Sequence, residues 1–149
     1  MKEKTNFAEK YMNKKNQQYK DANKFFLKQK EQEEGMQKVP NRGVLYRWIK
    51  RGDEKQPLCT LNSIVFVRYT GKLIDGRIFD STDDAPLPAC FVVKELIPGW
   101  QIALTRMRQG DHMEVIIPEK YGYGNKRAGD IPPYSTLCFD IELVKAEIR

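Results

Sequence analysis

Apolar and polar residues alternate along most of the chain after residue 43, a pattern typical of strands with one buried face. The predicted strands cover residues 44–49, 61–73, 77–80, 91–93, 112–117 and 136–144. A tight turn at Asp75-Gly76 joins the second and third of these strands as a hairpin. In the last strand, one face carries Leu137, Phe139, Ile141 and Leu143. We therefore expect an antiparallel sheet with one apolar side.

A helical period interrupts this alternation at residues 95–107. Pro98 and Gly99 break any strand entering the segment. Trp100, Leu104 and Met107 then follow at i, i+4 and i+7, on one face of a helix. We expect a single short helix whose tryptophan fills the inside of a curved sheet. Taken alone, such a tryptophan is more often an ordinary core residue.

The first 35 residues differ from the rest in composition. They are rich in Lys, Gln, Glu and Asn, contain no Pro, and have Gly only at position 35, as expected for a helix and its stop signal. We predict a charged N-terminal helix over 1–35, a linker over 36–43 and a folded domain over 44–149.

The apolar stripe of this predicted helix is weak. Phe7 and Tyr11 are four residues apart, and Tyr19, Ala22 and Phe26 follow a helical period, but lysines interrupt the stripe. Such a helix docks on a partner copy, giving a homodimer through residues 1–35, docks on its own domain, or stays largely solvated. The sequence leaves these three alternatives open.

The net charge of +6 is unevenly distributed. Residues 1–35 carry +3, residues 36–57 carry +4, and the remaining 92 residues carry −1. A basic leader is more often a solvated helix face than a nucleic-acid footprint. Nucleic-acid binding is therefore the weakest function considered, we expect no nucleic-acid partner, and any such binding would fall steeply with salt.

Cysteine usage and apolar runs constrain the compartment. Cys59, Cys90 and Cys138 are odd in number and lack CxxC spacing, so neither a zinc site nor a closed disulfide framework is predicted. The start of the chain lacks a secretory apolar region, and no apolar run reaches the ~18 residues of a membrane span. As the sequence stands we expect a cytoplasmic protein; if a signal peptide has been removed, it is periplasmic or membrane-anchored.

The common catalytic sets are missing from the sequence. The one histidine, His112, lies between Asp111 and Glu114 in a predicted strand and is expected at the surface. GxSxG, Walker and metal-ligand motifs are not found. We therefore expect chemistry that needs no nucleophile, metal or cofactor.

Aromatic and aliphatic groups instead recur at strand ends and in loops: Tyr69, Phe79, Phe91, Ile97, Trp100, Tyr123, Ile131 and Phe139. They lie in five ordered motifs at 67–71, 75–81, 97–100, 121–124 and 131–140. With these motifs, residues 44–147 resemble the FKBP-type peptidyl-prolyl cis-trans isomerases. The charged leader resembles that of the bacterial branch that includes the macrophage infectivity potentiator proteins.

The resemblance implies an α+β fold, in which a bent antiparallel half-barrel sheet wraps around one short helix, with an N-terminal helical extension. It implies cis/trans isomerisation of X-Pro bonds in peptides and folding proteins, and macrolide inhibitors as ligands. A binding module or chaperone that keeps the pocket but turns over poorly is the alternative function.

The resemblance also assigns roles to residues. The implied catalytic residues are Asp80, Tyr123, Phe139 and Tyr69. The implied substrate-binding residues are Phe79, Phe91, Leu96, Ile97, Trp100 and Ile131. Trp100 is the expected pocket floor, Ile97 N–H and the Tyr123 hydroxyl the expected donors to carbonyls of the bound chain, and Asp80 the pocket carboxylate.

Three departures from the family pattern concern the pocket. Ala85 stands where many relatives have a basic residue able to pair with the pocket carboxylate, and Leu96 replaces a common valine. The loop at 124–130 differs in length and charge from that of small eukaryotic members. The first change leaves the orientation of Asp80 open, and the second alters the shape of the rim. The loop change bears on macrolide affinity and on the preferred residue before proline.

Overall fold

The computed structural model describes residues 2–149, with side chains from Phe7 onward. Within that range a long helix, α1 (Lys2–Glu31), precedes a seven-stranded antiparallel sheet and a short helix, α2 (Pro98–Leu104). The strands are β1 (Gln37–Lys38), β2 (Leu45–Lys50), β3 (Ile64–Lys72), β4 (Ile78–Ser81), β5 (Ala89–Val92), β6 (His112–Ile117) and β7 (Leu137–Glu147). Short 3-10 turns occupy Val93–Glu95 and Glu119–Tyr121.

The sheet has the order β1-β2-β6-β7-β3-β4, and β5 pairs with β3 on the same side as β4. Register shifts interrupt β2 after Trp48 and β3 after Phe66 and again after Gly71. Such irregularities bend strands and increase their twist. The predicted α+β fold, a bent antiparallel sheet around a short helix with an N-terminal helical extension, is confirmed.

The short helix lies inside the bend, as its apolar face predicts. Trp100, Leu104 and Met107 are all buried, although the helix itself ends at Leu104 and Met107 lies beyond it. A Cβ added at Gly99 would lie 2.5 Å from a side-chain carbon of Ile117 in β6. Glycine at this position therefore lets α2 approach the sheet closely.

The alternation in β7 is confirmed: its predicted inner face is buried and Asp140 and Glu142 on the other face are exposed. In β6, Met113, Val115 and Ile117 are buried as predicted, but Ile116 on the opposite face is buried too. Ile116 lines a groove together with Phe26 and Lys30 of α1. The helix therefore covers part of the outer face, which pure alternation could not predict.

Several predicted boundaries shift. The second strand begins at Ile64 rather than 61, because a turn closed by the Thr60 N–H and Ser63 Oγ (2.8 Å) precedes it. The predicted strand at 91–93 is Ala89–Val92, and the last strand continues to Glu147. The predicted linker contains β1, which pairs with β2. The proposed division at 35 and 43 stays a prediction.

The two halves of α1 differ. Tyr19 and Asn23 bond to the segment before β7, so the second half docks on its own domain. In the first half, Phe7 and Tyr11 are 77% and 60% exposed. Among the described residues, neither helix is long and apolar enough to cross a bilayer.

Candidate functional site

A cavity of about 390 Å³ opens between α2 and the inner face of the sheet. Its lining residues are Tyr69, Phe79, Asp80, Phe91, Glu95, Leu96, Ile97, Trp100, Tyr123 and Phe139. Strands β3, β4, β5 and β7 contribute one aromatic ring each, α2 contributes the tryptophan, and the loop after β6 contributes Tyr123. The cavity is therefore a product of the bent sheet rather than of any single loop.

The rings are arranged edge to face around Trp100. Its centroid lies 5.0 Å from that of Tyr69 and 5.2 Å from that of Phe139, with interplanar angles of 88° and 84°. Phe91 makes a third such contact at 6.0 Å and 82°. Edge-to-face pairs are favourable because a ring edge is positive and its face negative. These contacts fix the orientation of the indole within the cavity.

Gly71 in β3 allows the opposite wall to close. Phe79 and Phe139 lie edge to face across it, with centroids 5.5 Å apart. A Cβ at Gly71 would lie 2.6 Å from the Phe139 ring and 2.7 Å from the Phe79 ring. Any side chain here would displace both rings, so the glycine of the 67–71 motif is required by the wall.

Tyr69 and Asp80 form the polar part of the cavity. The Tyr69 hydroxyl donates to Asp80 Oδ2 at 2.6 Å. Burial, and then the hydrogen bond and charge of Asp80, raise the pKa of Tyr69 above its usual value. Tyr69 is therefore a protonated donor at neutral pH, and it holds the carboxylate in one orientation.

Thr82 supports this pair. Its Oγ1 accepts the Tyr69 N–H at 2.9 Å, and its own N–H donates to the Tyr69 carbonyl at 2.9 Å. Thr82 is buried, although it lies in the polar stretch between two predicted strands. This residue was not predicted, because a single threonine in a polar stretch carries no periodic signal.

Asp80 has no basic partner within ion-pair distance in the described part of the chain. Ala85 bonds only through its backbone: its carbonyl accepts from Arg68 at 3.4 Å, and its N–H donates to the Thr82 carbonyl at 3.0 Å. The orientation of the carboxylate, left open by the sequence, is thus set by Tyr69.

Two donors at the rim are free to bind a ligand. The Ile97 carbonyl accepts the N–H groups of Trp100 and Gln101 at the start of α2, whereas the Ile97 N–H donates to no other described residue. The Tyr123 side chain is 41% exposed and its hydroxyl likewise has no partner among the described residues. A peptide carbonyl entering the cavity could accept from either group.

Nine of the ten predicted site residues line the cavity, and the tenth does not. Ile131 is 5% exposed and belongs to the core beneath the loop, where its N–H donates to the Ala128 carbonyl at 2.9 Å. Glu95, two residues before the 97–100 motif, was not predicted, although it lines the cavity and is exposed. The catalytic and binding roles of these residues stay predictions.

The histidine of the chain lies away from this cavity. No group of three potential metal ligands occurs among the described residues. His112 is half-buried in β6, and its ring nitrogen bonds to the Asp140 carboxylate on β7. Neither residue lines the aromatic cavity.

Residues 57–144 match the family described as FKBP-type peptidyl-prolyl cis-trans isomerase. The FKBP-type 22 kDa peptidyl-prolyl cis-trans isomerase of Escherichia coli K12 is 42% identical over 121 residues, which are 80% of this chain and 57% of that protein. The outer membrane protein MIP of Legionella longbeachae is 38% identical over 136 residues, covering 91% and 57%.

Solved structures agree with these sequence matches. The crystal structure of FkpA from Escherichia coli superposes with a TM-score of 0.86 at 29% identity, covering 95% of this chain and 65% of that one. A peptidyl-prolyl cis-trans isomerase from Pseudomonas syringae gives a TM-score of 0.79 at 32% identity, covering 88% and 95%. The chain spans about half to two thirds of the length of the first curated relatives that it matches.

Proposed function

Since the chain belongs to the family of FKBP-type peptidyl-prolyl cis-trans isomerases, we propose that it accelerates cis/trans isomerisation of X-Pro bonds in peptides and folding proteins. The carrying observation is the aromatic cavity lined by Trp100, with two donors, Ile97 N–H and the Tyr123 hydroxyl, that have no partner among the described residues. Uncatalysed isomerisation takes tens to hundreds of seconds and can limit folding. Such an enzyme therefore acts as a folding helper.

The proposed mechanism is preferential binding of the twisted amide. Rotation meets a barrier of ~18–20 kcal/mol because the planar peptide loses resonance, and no covalent bond to the protein has to form. A twisted amide has less charge separation than a planar one, so the aromatic walls favour it over water. The enzyme needs only to bind that geometry more tightly than the planar forms.

The polar groups orient the substrate in this proposal. The rim donors Ile97 N–H and Tyr123 hold carbonyls on either side of the proline, which keeps the chain in a turn. Asp80, fixed by Tyr69 at 2.6 Å, faces the amide being rotated. The proline ring itself packs on the Trp100 indole, which is the apolar floor.

A protease-coupled assay on peptides with Leu or Phe before proline tests this function. We expect turnover, and we expect an FKBP-directed macrolide to block it by filling the same cavity. Macrolide binding without turnover would favour the alternative of a binding module or chaperone. Neither activity would mean that the departures at Ala85 and in the 124–130 loop have changed the purpose of the site.

Self-association through residues 1–35 is a second part of the proposal. Phe7 and Tyr11 lie one helical turn apart and are largely exposed, which suits a seam between two copies. Phe26, also considered for this seam, lines the groove against its own sheet. Replacing Phe7 and Tyr11 with serine should give a monomer by sedimentation.

Phe25 provides the matched control. It is 62% exposed on the same helix but lies in the half that docks on the domain. Phe25→Ser should leave the sedimenting mass unchanged. A mass that is the same for wild type and for the Phe7→Ser/Tyr11→Ser protein would end the dimer proposal.

The compartment is a proposal with two forms. Three free thiols suit the reducing cytoplasm, whereas the name outer membrane protein MIP, carried by a relative, suits the periplasmic or membrane-anchored form. Cell fractionation separates them. Recovery with the soluble cytoplasmic proteins supports the first form, and release with the periplasm or recovery with membranes supports the second.

A further inference from the structure

Three neighbouring residues of α1 contact three consecutive residues before β7. Asn23 Oδ1 accepts the Thr136 N–H at 2.7 Å, and this bond is buried. The Tyr19 hydroxyl lies 2.7 Å from Ser135 Oγ, and the Lys20 ammonium lies 4.7 Å above the centre of the Tyr134 ring. A contact at each position means that α1 fixes the backbone and the side chains of this segment together.

Asn23 is built for this contact. It is only 3% exposed, and its amide nitrogen donates back to the Tyr19 carbonyl at 2.8 Å. Both ends of the side-chain amide are therefore satisfied, one on the helix and one on the segment. A buried backbone N–H left without its acceptor is unfavourable, so Thr136 depends on Asn23.

The clamped segment closes the loop that carries Tyr123. The Tyr134 N–H donates to the Gly124 carbonyl at 2.8 Å, next to Tyr123 at the rim of the cavity. Ser135 Oγ donates to the Pro132 carbonyl at 2.7 Å. Since the single hydroxyl proton of Ser135 is used in that bond, Tyr19 is the donor to Ser135. The chain of bonds therefore runs from α1 through the segment to both ends of the loop.

Tyr134 is in a backbone conformation that needs such support. Its φ is +68°, in the left-handed region that bulky residues seldom occupy. Strained residues of this kind persist where surrounding contacts determine them, and they cluster at functional sites. Lys20 over its ring and the Gly124 carbonyl at its N–H are such contacts.

We propose that Asn23 and Tyr19 are positioning residues: through 134–136 they hold the 122–133 loop so that the Tyr123 hydroxyl meets the substrate. The proposal rests on the proposed isomerase function. It assigns to the leader helix a part in the activity of its own domain, in addition to any role in self-association. Neither residue touches the cavity, so each acts through the loop.

Two measurements on Asn23→Ala test the proposal. Amide exchange at Ile131 and Tyr134, whose N–H groups bond within the loop, should accelerate. In the isomerisation assay KM should rise about two- to tenfold, the ratio that one lost hydrogen bond produces, with kcat little changed, because Tyr123 binds ground and transition states alike. Asn23→Asp keeps an acceptor for the Thr136 N–H but loses the donor to the Tyr19 carbonyl, so it should recover only part of the wild-type KM.

Asp21→Ala is the matched control. Asp21 accepts a hydrogen bond from Gln17 at 2.8 Å on the exposed side of the same helix and does not contact the loop. This variant loses a contact within the helix but keeps the contacts between α1 and residues 134–136. Its loop exchange and KM should therefore equal those of wild type. If Asn23→Ala folds poorly, Tyr19→Phe removes only a hydroxyl and should give the same changes at smaller size.

The outcomes separate two failures. In the first, the wild type is inactive but loop exchange still accelerates in Asn23→Ala. That result would contradict the isomerase function and would leave the contact between α1 and the loop in place. An active wild type whose loop exchange and KM are the same in Asn23→Ala and Tyr19→Phe would overturn the positioning role. An equal KM rise in Asp21→Ala would overturn it as well, since any disturbance of the helix would then suffice.

Discussion

The two faces of the sheet carry two concave sites of different character. The inner cavity of about 390 Å³ has aromatic walls set at nearly right angles and one carboxylate bonded to a tyrosine. The outer groove beside α1 is larger, about 600 Å³, and is lined by charges of both signs, including Lys30, Lys72, Glu114 and Asp140. Size alone therefore does not single out the aromatic cavity, since the outer groove and a third concavity beside α2 are both larger.

The difference lies in what each face does to water. Charged side chains keep the outer groove hydrated, so an amide entering it exchanges one polar environment for another. The inner cavity is lined by the faces and edges of aromatic rings. Few of its groups can replace water as a hydrogen-bond donor to an amide carbonyl. Twisting a peptide bond is favoured only where water is replaced by apolar walls, which explains why the smaller concavity suits the proposed chemistry.

Removing the floor should produce the largest effect. Trp100→Ala should abolish macrolide binding and, as a truncation of a buried aromatic residue, lower the free energy of unfolding by ~3–5 kcal/mol. Isothermal calorimetry and urea unfolding measure the two changes. Ile78→Ala, at an exposed residue of the outer groove, should change stability by less than about 0.5 kcal/mol and leave binding intact. Equal losses of binding in both variants would remove the distinction between the faces.

The two carboxylates on opposite faces give the next comparison. Asp80→Ala should lower kcat/KM about ten- to hundredfold, because hydrogen bonds to charged groups contribute ~1.5–3 kcal/mol. Asp140→Ala removes the partner of His112 on the outer face and should leave kcat/KM within about twofold of wild type. A larger loss from Asp140→Ala than from Asp80→Ala would show that our proposal places the activity on the wrong face of the sheet.

Tyr69 provides a pH test of smaller size. Its pKa is raised by burial and by Asp80, so the folded state favours the protonated phenol. The stability from this preference is fully present below the ordinary tyrosine pKa of about 10, and it is lost as pH rises through the raised value. Tyr69 should therefore cause no change in kcat/KM between about pH 7 and 10. A fall within that range that Tyr69→Phe removes would contradict the assignment.

The smallest expected effect concerns the thiols. Burial raises the pKa of Cys59 to about 11 and that of Cys138, beside the outer groove, to about 12, whereas Cys90 is exposed. A thiol reagent at about pH 8 should modify Cys90 first, because the thiolate is the reactive form. Mass spectrometry of digested protein measures the order. Early modification of Cys138 would show that α1 leaves this part of the outer face open.

Periodicity predicted the parts of the fold that repeat. The alternation of Leu137 to Leu143, the apolar face that contains Trp100 and the hairpin turn at Asp75-Gly76 are all present in the structure. Nine of the residues predicted from the family motifs line one cavity. These features could be predicted because each depends on several residues acting together.

Single polar contacts could not be predicted. Asn23 sits between Ala22 and Lys24 in a charged helix, and nothing in the sequence marks it as the residue that docks α1. Thr82 and the two-residue strand β1 could not be predicted either, because neither belongs to a periodic pattern of apolar residues. Ile131 is as buried as Trp100 and Phe139 but does not line the cavity, and its role in binding stays a prediction.

The length of α1 determines how far its undocked half extends beyond the docked half. An α-helix rises ~1.5 Å per residue, so residues 7–18, before the docked half, extend about 18 Å along the helix axis. A molecule bound at the N-terminal end of residues 7–18 is held within a few nanometres of the aromatic cavity. Such proximity corresponds to a local concentration of about millimolar. A proline-containing chain captured at the tip would thus meet the cavity repeatedly before it diffused away.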